Sequence, residues 1–379
     1  MRILMLNYEY PPLGGGAAPV TKELAEELVK LGHEVDVVTM AFKGLKEKEE
    51  VNGVNVYRVP VFRRKQTVCQ THEMFTYCIS ANYFLSKLLK ERKYDINHTH
   101  FIIPTGVISY LKRKKIPYII TSHGSDVPGY NPDRFGFQHK LIKPMWNKIV
   151  ENATCITTPT EFLKNLILDN FNSKDCNPDK VKVIPNGIHP EKFSPKKKER
   201  KILVVSRLFE RKGVQYVIEA MRDIKDYRMV ICGNGPYKKH LENQIDKLRL
   251  GNNVRLLGWV SGKSLLKEYE TSSIFVLPSS AENFPVVLLE AMAAGCAVVT
   301  TNTTGCPEVV GDAGLLVRPM NTEDIRDALN KLINDDRLIE GLGMKARKRV
   351  EENFELRKVA KMYKEVYECA IKIQNRLNK

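Results

Sequence analysis

The amino-acid sequence predicts an α/β protein made of two doubly wound domains. Short apolar runs typical of buried strands alternate with helical segments, and the alternation restarts in the second half of the 379 residues. Between the halves, residues 184–201 are rich in Pro, Asn, Gly and Lys and lack helical periodicity, as expected of a linker. Sheets of this kind bind ligands beyond the carboxyl ends of their strands, so we expect two such edges to face each other across a cleft.

The first half begins with a strand, a glycine-rich loop and an amphipathic helix. The strand is predicted at 3–7, and the helix at 20–31 ends at Gly32, a residue suited to a left-handed helix end. Further strands are predicted at 35–39, 54–59, 96–100, 118–122 and 155–158, and further helices at 75–91, 106–114, 140–152 and 161–171. This alternation predicts a parallel sheet covered by helices on both faces.

The second half repeats the pattern. Strands are predicted at 201–208, from 227 into a Gly-Asn-Gly turn, at 253–260, at 273–277 and at 296–301, with helices at 214–224 and between Pro285 and Gly295. Pro suits the first turn of a helix because its missing N–H is no loss there, and Gly suits the residue that ends it. The closing segment 359–377 predicts a long helix with enough apolar positions to pack against another element.

The composition is that of a water-soluble protein. Hydrophobic residues make up 43% and charged residues 27%, and no apolar run approaches the roughly 20 residues of a membrane-spanning helix. We therefore expect a cytoplasmic protein. The eight cysteines never form C-x-x-C pairs, which favours reduced thiols over disulfides or zinc. The net charge of +16 is dispersed and accompanies no nucleic-acid-binding motif, so a nucleic-acid partner is not expected.

Two carboxylates stand eight positions apart in an almost wholly apolar stretch. Glu282 follows a predicted strand, and Glu290 lies inside a helix that is apolar on every side and should therefore be buried. A lone buried carboxylate is costly unless it has a partner. One interpretation is a structural pair with a core Arg or Lys. The other is that both carboxylates accept hydrogen bonds from hydroxyls of a ligand at the strand ends.

Arg207 lies at the carboxyl end of a predicted strand, and Lys212 lies just beyond it. An Arg fork and a Lys ammonium five residues apart suit a diphosphate, and the N-terminus of the helix near Pro285 adds backbone N–H groups at the same edge. The alternative is that both are scattered surface cations. The chain contains no D-x-D pair, so a metal-bridged diphosphate is not expected.

Three polar motifs of the first half give weaker evidence of ligand binding than the residues of the second half. The Gly14-Gly15-Gly16 loop lets backbone approach an anion or a sugar but lacks G-x-G-x-x-G spacing, and Asp36 lies inside a strand, so nicotinamide binding fits poorly. His123 follows a strand with Asp126 three residues on, which suits either contact with a ligand hydroxyl or a capped turn with a solvated His. His98 and His100 indicate local packing or hydrogen bonding rather than metal binding.

Taken in order, these stretches resemble the retaining glycosyltransferases of family 4, which have the two-domain, Rossmann-like GT-B fold. The resemblance covers almost the full length and is carried by GGG, HGSD, VIPNGIHPEKFSP, SRLFERKG, GNGP, LGWVSGKSLLKEY and ENFPVVLLEAMAAGCAVV, the last with the family's E-x7-E spacing. It implies a donor-binding domain of residues 191–353. It also implies an acceptor-binding domain of residues 1–190, to which a crossing helix of residues 354–379 returns.

The resemblance implies a role for each matching residue, in a hexose transfer from a UDP- or GDP-sugar to an acceptor hydroxyl without metal or cofactor. Arg207 and Lys212 neutralise the diphosphate, Glu290 binds the ribose, and Glu282 and His123 contact the sugar. The remaining donor-site residues of the resemblance are Gly15, Gly16, Gly233, Asn234, Gly235, Val260, Asn283, Phe284, Pro285 and Val286. Asn283 and Pro285 replace glycines common in the family, which leaves the identity of the donor open.

The acceptor is also left open. Residues 74–93 mix aromatic and aliphatic bulk with a basic end, which fits either a helix resting on an anionic bilayer or a core helix with solvated lysines. Lipids, metabolites and glycans are all acceptors to consider. The rival functions are another GT-B nucleotide-sugar enzyme, such as an epimerase or a phosphorylase, and a nucleotide-sugar-binding protein without turnover.

Overall fold

The computed structural model describes residues 1–66, 68–130, 132–171 and 177–377. The chain divides into two compact units. The first unit comprises Met1–Gly187 and Leu356–Lys379, and the second comprises Ile188–Glu355. Each unit is an α/β domain built on one largely or wholly parallel sheet, which confirms the predicted fold class.

The first unit has an eight-stranded sheet with the order β3-β4-β2-β1-β5-β6-β7-β8. Its strands are β1 (Arg2–Leu6), β2 (Glu34–Met40), β3 (Lys48–Val51), β4 (Val54–Val59), β5 (Ile96–His100), β6 (Tyr118–Thr121), β7 (Cys155–Thr158) and β8 (Val181–Val183). The predicted bounds of β4, β5 and β7 are confirmed. The expectation of an all-parallel sheet is wrong at one edge, because β3 pairs antiparallel with β4 through a short hairpin.

The second unit has a six-stranded parallel sheet with the order β11-β10-β9-β12-β13-β14. Its strands are β9 (Glu199–Val205), β10 (Arg228–Cys232), β11 (Val254–Gly258), β12 (Ser272–Leu277), β13 (Ala297–Thr301) and β14 (Gly314–Val317). The strands β9 and β12 are far apart in sequence but pair side by side in parallel. The loops that follow them therefore meet at the same edge of the sheet.

The helices cover both faces of each sheet. They are α1 (Ala17–Lys30), α2 (Thr71–Glu91), α3 (Thr105–Lys112), α4 (Pro132–Asn152), α5 (Glu161–Asn170), α6 (Val214–Ala220), α7 (Lys238–Lys247), α8 (Gly262–Thr271), α9 (Val286–Ala293), α10 (Cys306–Val310), α11 (Thr322–Ile333), α12 (Asp336–Asn353) and α13 (Leu356–Leu377). Alternate side chains of the central strands enter opposite cores, as the pleat requires. In β1, Ile3 and Met5 pack with α1 and α13, whereas Leu4 and Leu6 pack with α2.

None of the helices in the described part of the chain is long and apolar enough to span a membrane. The seven cysteines among these residues are free thiols, and Cys176 lies outside them.

Candidate functional site

Glycines hold the loops of the second unit together at the carboxyl edge of its sheet. Gly233, directly after β10, has φ +154°, and a Cβ atom there would lie 1.8 Å from the carbonyl oxygen of Ser206. At Gly235 a Cβ atom would lie 2.2 Å from the carbonyl oxygen of Leu208, whose own N–H donates to the carbonyl of Asn234 at 2.9 Å. The predicted Gly-Asn-Gly turn is therefore packed against the loop that carries Arg207.

The loops after β9 and β12 are joined in the same way. Gly213 has φ +71°, and a Cβ atom there would lie 2.2 Å from the carbonyl oxygen of Pro278. The N–H of Ser280 donates to the carbonyl of Arg211 at 2.9 Å. These contacts bring together two segments that lie some 70 residues apart in the chain.

An ion pair between Lys212 and Glu282 crosses this edge. The Lys212 ammonium donates to Oε1 of Glu282, and the two side chains are only 10% and 17% exposed. The loop after β13 fixes the backbone of Glu282, because Thr304 accepts from its N–H at 2.9 Å and donates to its carbonyl at 2.6 Å. The structure thus joins two predicted site residues and adds Thr304, which holds one of them in place.

Arg207 lies on the same loop as Lys212 but is exposed. Its guanidinium carbon lies 5.5 Å from the ring centroid of Phe209, a distance typical of a cation–π contact. The two predicted cations therefore differ: Lys212 is buried beside a carboxylate, whereas Arg207 reaches solvent over an aromatic ring.

Glu290 is only half-buried, which corrects the prediction of a helix buried on every side. In α9 the side chains of Leu288, Leu289, Ala291, Met292 and Ala293 are buried, whereas Val286, Val287 and Glu290 form a partly open face. The hydroxyl of buried Tyr269 donates to Oε2 of Glu290 at 2.7 Å. Burial, reinforced by this carboxylate, holds the pKa of Tyr269 well above its usual value, so the hydroxyl stays a donor.

The residues before α9 form its entrance. The helix begins at Val286, one residue later than predicted, with Pro285 at the N-cap position. Helix geometry leaves the N–H groups of Val286 and Val287 without a carbonyl partner in the helix, and Pro285 has no N–H to offer. Asn283 is buried, and the ring of Phe284 packs edge-on against Phe354 with centroids 5.7 Å apart. Like Val286, the predicted donor-site residue Val260 is half-buried at the margin of this core.

In the first unit, the glycine-rich loop is held by a carboxylate that the sequence did not reveal. The N–H of Gly15 donates to Oε2 of Glu9 at 3.0 Å, and Arg63 pairs with the other oxygen of Glu9 at 3.3 Å. Gly16 precedes α1 and is exposed. An anion that approached the N–H of Gly15 would therefore compete with Glu9.

The carboxylate of Asp126 organises the turn after β6 and does not bind the imidazole of His123. It accepts hydrogen bonds from the N–H of Ile102 at 2.7 Å, of Gly124 at 3.0 Å and of His123 at 3.2 Å. The capped turn is thus the correct interpretation of Asp126. Asp36 is likewise structural, because Asn55 and Arg92 donate to its carboxylate at 2.8 and 2.9 Å.

The imidazole of His123 ends a row of three stacked rings. His98 and His100 stack with centroids 4.4 Å apart, and His100 and His123 at 5.3 Å with an interplanar angle of 11°. His98 bonds the hydroxyls of Tyr367 at 2.8 Å and Thr121 at 2.7 Å. Packing and hydrogen bonding, as predicted, account for His98. His100 holds His123 through a 3.0 Å contact between Nδ1 and Nε2.

Burial keeps these imidazoles neutral at pH 7. It lowers the pKa of His98 to about 3 and that of His123 to about 4, and it lowers the pKa of His100 well below its usual value. His100 Nε2 is buried without a partner among the described residues, and a buried N–H without an acceptor is rarer than an unused acceptor. We therefore place the His100 proton on Nδ1, from which it donates to Nε2 of His123. The remaining nitrogen of His123, Nδ1, then carries a proton that it can donate.

Models of two protein families match the chain. The model described as Glycosyl transferases group 1 matches residues 187–353, and the model described as Glycosyltransferase Family 4 matches residues 14–192. An uncharacterized glycosyltransferase of Methanocaldococcus jannaschii is 33% identical over 401 residues, covering 99% of this chain and all of the relative.

Solved structures share the fold at lower identity. Sucrose-phosphate synthase from Thermosynechococcus elongatus superposes with a TM-score of 0.82 at 21% identity, covering 97% of this chain and 98% of that one. HepE of Anabaena, solved in complex with UDP-glucose, superposes with a TM-score of 0.76 at 18% identity, covering 97% of this chain and all of that one.

Proposed function

We propose that this chain, which belongs to the GT-B glycosyltransferases, moves a hexose from a nucleotide-diphosphate sugar to an acceptor hydroxyl with retention at the anomeric carbon. The observation that carries the proposal is the pairing of buried Lys212 with the carboxylate of Glu282, which lies four residues before the start of α9. The complex of HepE with UDP-glucose supports a UDP-sugar as the first donor to test, with GDP-sugars as the alternative.

In this proposal, the diphosphate is received by Lys212, Arg207 and the first N–H groups of α9. The leaving nucleoside diphosphate gains negative charge as the bond to the sugar breaks, and fixed cations and helix N–H groups stabilise that charge. Lys212 needs no reorganisation for this role, because its pairing with Glu282 already holds the ammonium in place. Arg207, exposed on the same loop, supplies the second charge.

Glu282 and Glu290 bind hydroxyls in the proposal. Lys212 occupies one oxygen of Glu282, and the other is assigned to the sugar. Glu290 lies on the open face of α9 with Val286 and Val287, a face that suits the apolar edge and the hydroxyls of a ribose. Tyr269 orients this carboxylate from the buried side.

The other predicted donor-site residues keep their proposed roles. His123 donates its Nδ1 proton to a sugar hydroxyl and, being neutral, does not act as a cationic acid at pH 7. Gly16 is the favoured residue of its loop for approach of the diphosphate, because the N–H of Gly15 is already engaged. Gly233, Asn234, Gly235 and Val260 are assigned to the nucleotide, and residues 283–286 to the sugar.

We propose that the configuration is retained because the acceptor attacks the same face of the sugar from which the nucleotide leaves. Glycosidases that retain configuration use a carboxylate nucleophile, but Glu282 is committed to Lys212. The acceptor oxygen instead forms its bond to the anomeric carbon as the bond to the phosphate oxygen breaks, and the departing phosphate takes the acceptor proton. The enzyme then contributes position and charge.

A thermal-shift screen of UDP, GDP and ADP and their sugars tests the donor. At a free concentration of about 100 times its Kd, a ligand that binds only the native state adds about 2.7 kcal/mol to the free energy of unfolding. For a unit of this size, this raises Tm by roughly 5–10 °C. The stabilising sugar nucleotide is then incubated with acceptors, and the anomeric configuration of the product is read by NMR. If a folded sample shows no rise in Tm with any of these ligands, the proposed nucleotide-sugar donor is overturned. If the product has the inverted anomeric configuration, the proposed retention is overturned.

A further inference from the structure

Helix α2 of the first unit is apolar on both of its faces. Its inward face buries Tyr77, Ala81 and Leu85 against the sheet. On its outward face Phe75 is 67%, Ile79 58% and Tyr83 64% exposed, at spacings of four residues that keep them on one stripe. A helix on a water-exposed surface normally places polar residues there.

A fourth large side chain extends the stripe. Phe62 is 79% exposed, and its backbone N–H donates to the hydroxyl of Thr76 at 3.4 Å, which places it beside the N-terminal half of α2. Phe62, Phe75, Ile79 and Tyr83 are hereafter the aromatic patch. A contiguous exposed apolar patch marks an interaction surface more often than four scattered side chains do.

Cations flank the aromatic patch at both ends. At one end Arg64 and Lys65 follow Phe62 and are exposed, and the Arg64 backbone is fixed by its N–H bond to Glu73 at 2.8 Å. At the other end the Lys87 ammonium lies 4.6 Å from the ring centroid of Tyr83. Lys112 of α3 also reaches this end, donating to the hydroxyl of Ser86 at 2.6 Å.

The two acidic side chains of α2 offset these cations only in part, because Glu91 lies four residues after Lys87 and acts on its charge. Glu73 is buried, where it accepts the N–H groups of Arg64 and Gln70. Glu91, at the far end of α2, is exposed beside the equally exposed Lys90. The partner that fits is therefore apolar in its interior and anionic at its surface.

We propose that the aromatic patch and its flanking cations form a contact surface for an anionic lipid bilayer. The rings and Ile79 enter the boundary between headgroups and acyl chains, and the cations meet the lipid phosphates and carboxylates. Helix α2 lies on the bilayer in this arrangement and does not cross it. The inference concerns the first unit alone and does not depend on the proposed donor chemistry.

Flotation of the full chain with vesicles tests the surface. We expect the wild type to float with phosphatidylcholine vesicles that contain about 30% phosphatidylserine, to float much less with pure phosphatidylcholine, and to be released between about 0.1 and 0.5 M salt. The double variant Phe75→Ser/Ile79→Ser should bind at least about tenfold more weakly. Both side chains are exposed, so its circular dichroism and Tm should match those of the wild type.

The matched control is Met344→Ser, which removes a side chain that is 70% exposed on α12 of the second unit. It should bind vesicles like the wild type. The proposal is overturned if the wild type does not float with anionic vesicles, or if the double variant and the control bind equally well. It is also overturned if light scattering shows a wild-type dimer that the double variant converts to a monomer, since the patch is then a protein interface.

Discussion

Replacing Lys212 by Met tests whether the Lys212–Glu282 pair serves the reaction or only the fold. The substitution keeps an unbranched side chain of similar length but removes the charge. It leaves the carboxylate of Glu282, 17% exposed, without its ammonium partner.

The expected loss of stability follows from that burial. Breaking a fully buried pair by removing one partner costs about 3–5 kcal/mol, because an uncompensated charge remains. The residual exposure of both side chains reduces this, so we expect about 1–3 kcal/mol, or a fall in Tm of roughly 3–8 °C. Turnover should fall further, by about 10²–10³, if Lys212 stabilises the charge of the leaving group.

A double-mutant cycle separates the two effects. Glu282→Gln alone leaves the ammonium without a negatively charged partner, whereas Lys212→Met/Glu282→Gln removes both charges. We expect the double variant to regain about 1–2 kcal/mol relative to the sum of the single losses. We do not expect it to regain turnover. Unfolding in urea gives the stabilities, and donor consumption under saturating sugar nucleotide gives the rates.

Two outcomes would refute this reasoning. Near-normal turnover of Lys212→Met would remove the assignment of Lys212 to the diphosphate. Recovery of turnover together with stability in the double variant would show that the pair only shapes the loops after β9 and β12.

Three further substitutions test other parts of the site. Glu290→Gln keeps an oxygen that accepts from the hydroxyl of Tyr269, so Tm should stay within about 2 °C of the wild-type value. Nucleotide binding, measured by calorimetry, should be at least about tenfold weaker. A large loss of stability at unchanged nucleotide affinity would show that this residue is structural. His100→Asn keeps an N–H donor toward His123, so turnover should stay within about threefold of the wild-type rate. His100→Leu removes this donor and should lower turnover about tenfold or more, and ¹⁵N chemical shifts report the tautomer of His123 in each variant. Equal turnover of the two variants would contradict a positioning role for His100. Gly213→Ala places a Cβ atom 2.2 Å from a carbonyl oxygen at a residue with φ +71°, so the free energy of unfolding should fall by about 2–4 kcal/mol. Gly262 has φ +58° but open space around it, so Gly262→Ala should cost only about 1–2 kcal/mol. Equal losses for the two variants in urea unfolding would exclude a steric contribution at Gly213.

The amino-acid sequence by itself determined most of the strands of both sheets. Short apolar runs such as 273–277 predict buried strands because few other segments of that length bury both faces, and glycine at 32 and 295 marks the ends of α1 and α9. It also determined which residue types stand at the strand ends. The strands β3, β8 and β14 escaped prediction. Each has only three or four residues and lies at the edge of its sheet, and the residues of β3, Lys48–Val51, are mostly charged.

Only the tertiary structure decided which partners those residues have. Glu290 was expected to be buried because every neighbour in α9 is apolar, but the elements packed against α9 leave one face open, and its hydroxyl partner comes from 21 residues away. The apolar residues of α2 likewise predict a helix but not that Phe75 faces outward. Helical periodicity reports contacts within a few turns of the chain. The pairing of Lys212 with Glu282 across 70 residues, and of His98 with Tyr367 across 269, depends on how distant segments pack, which no local pattern encodes.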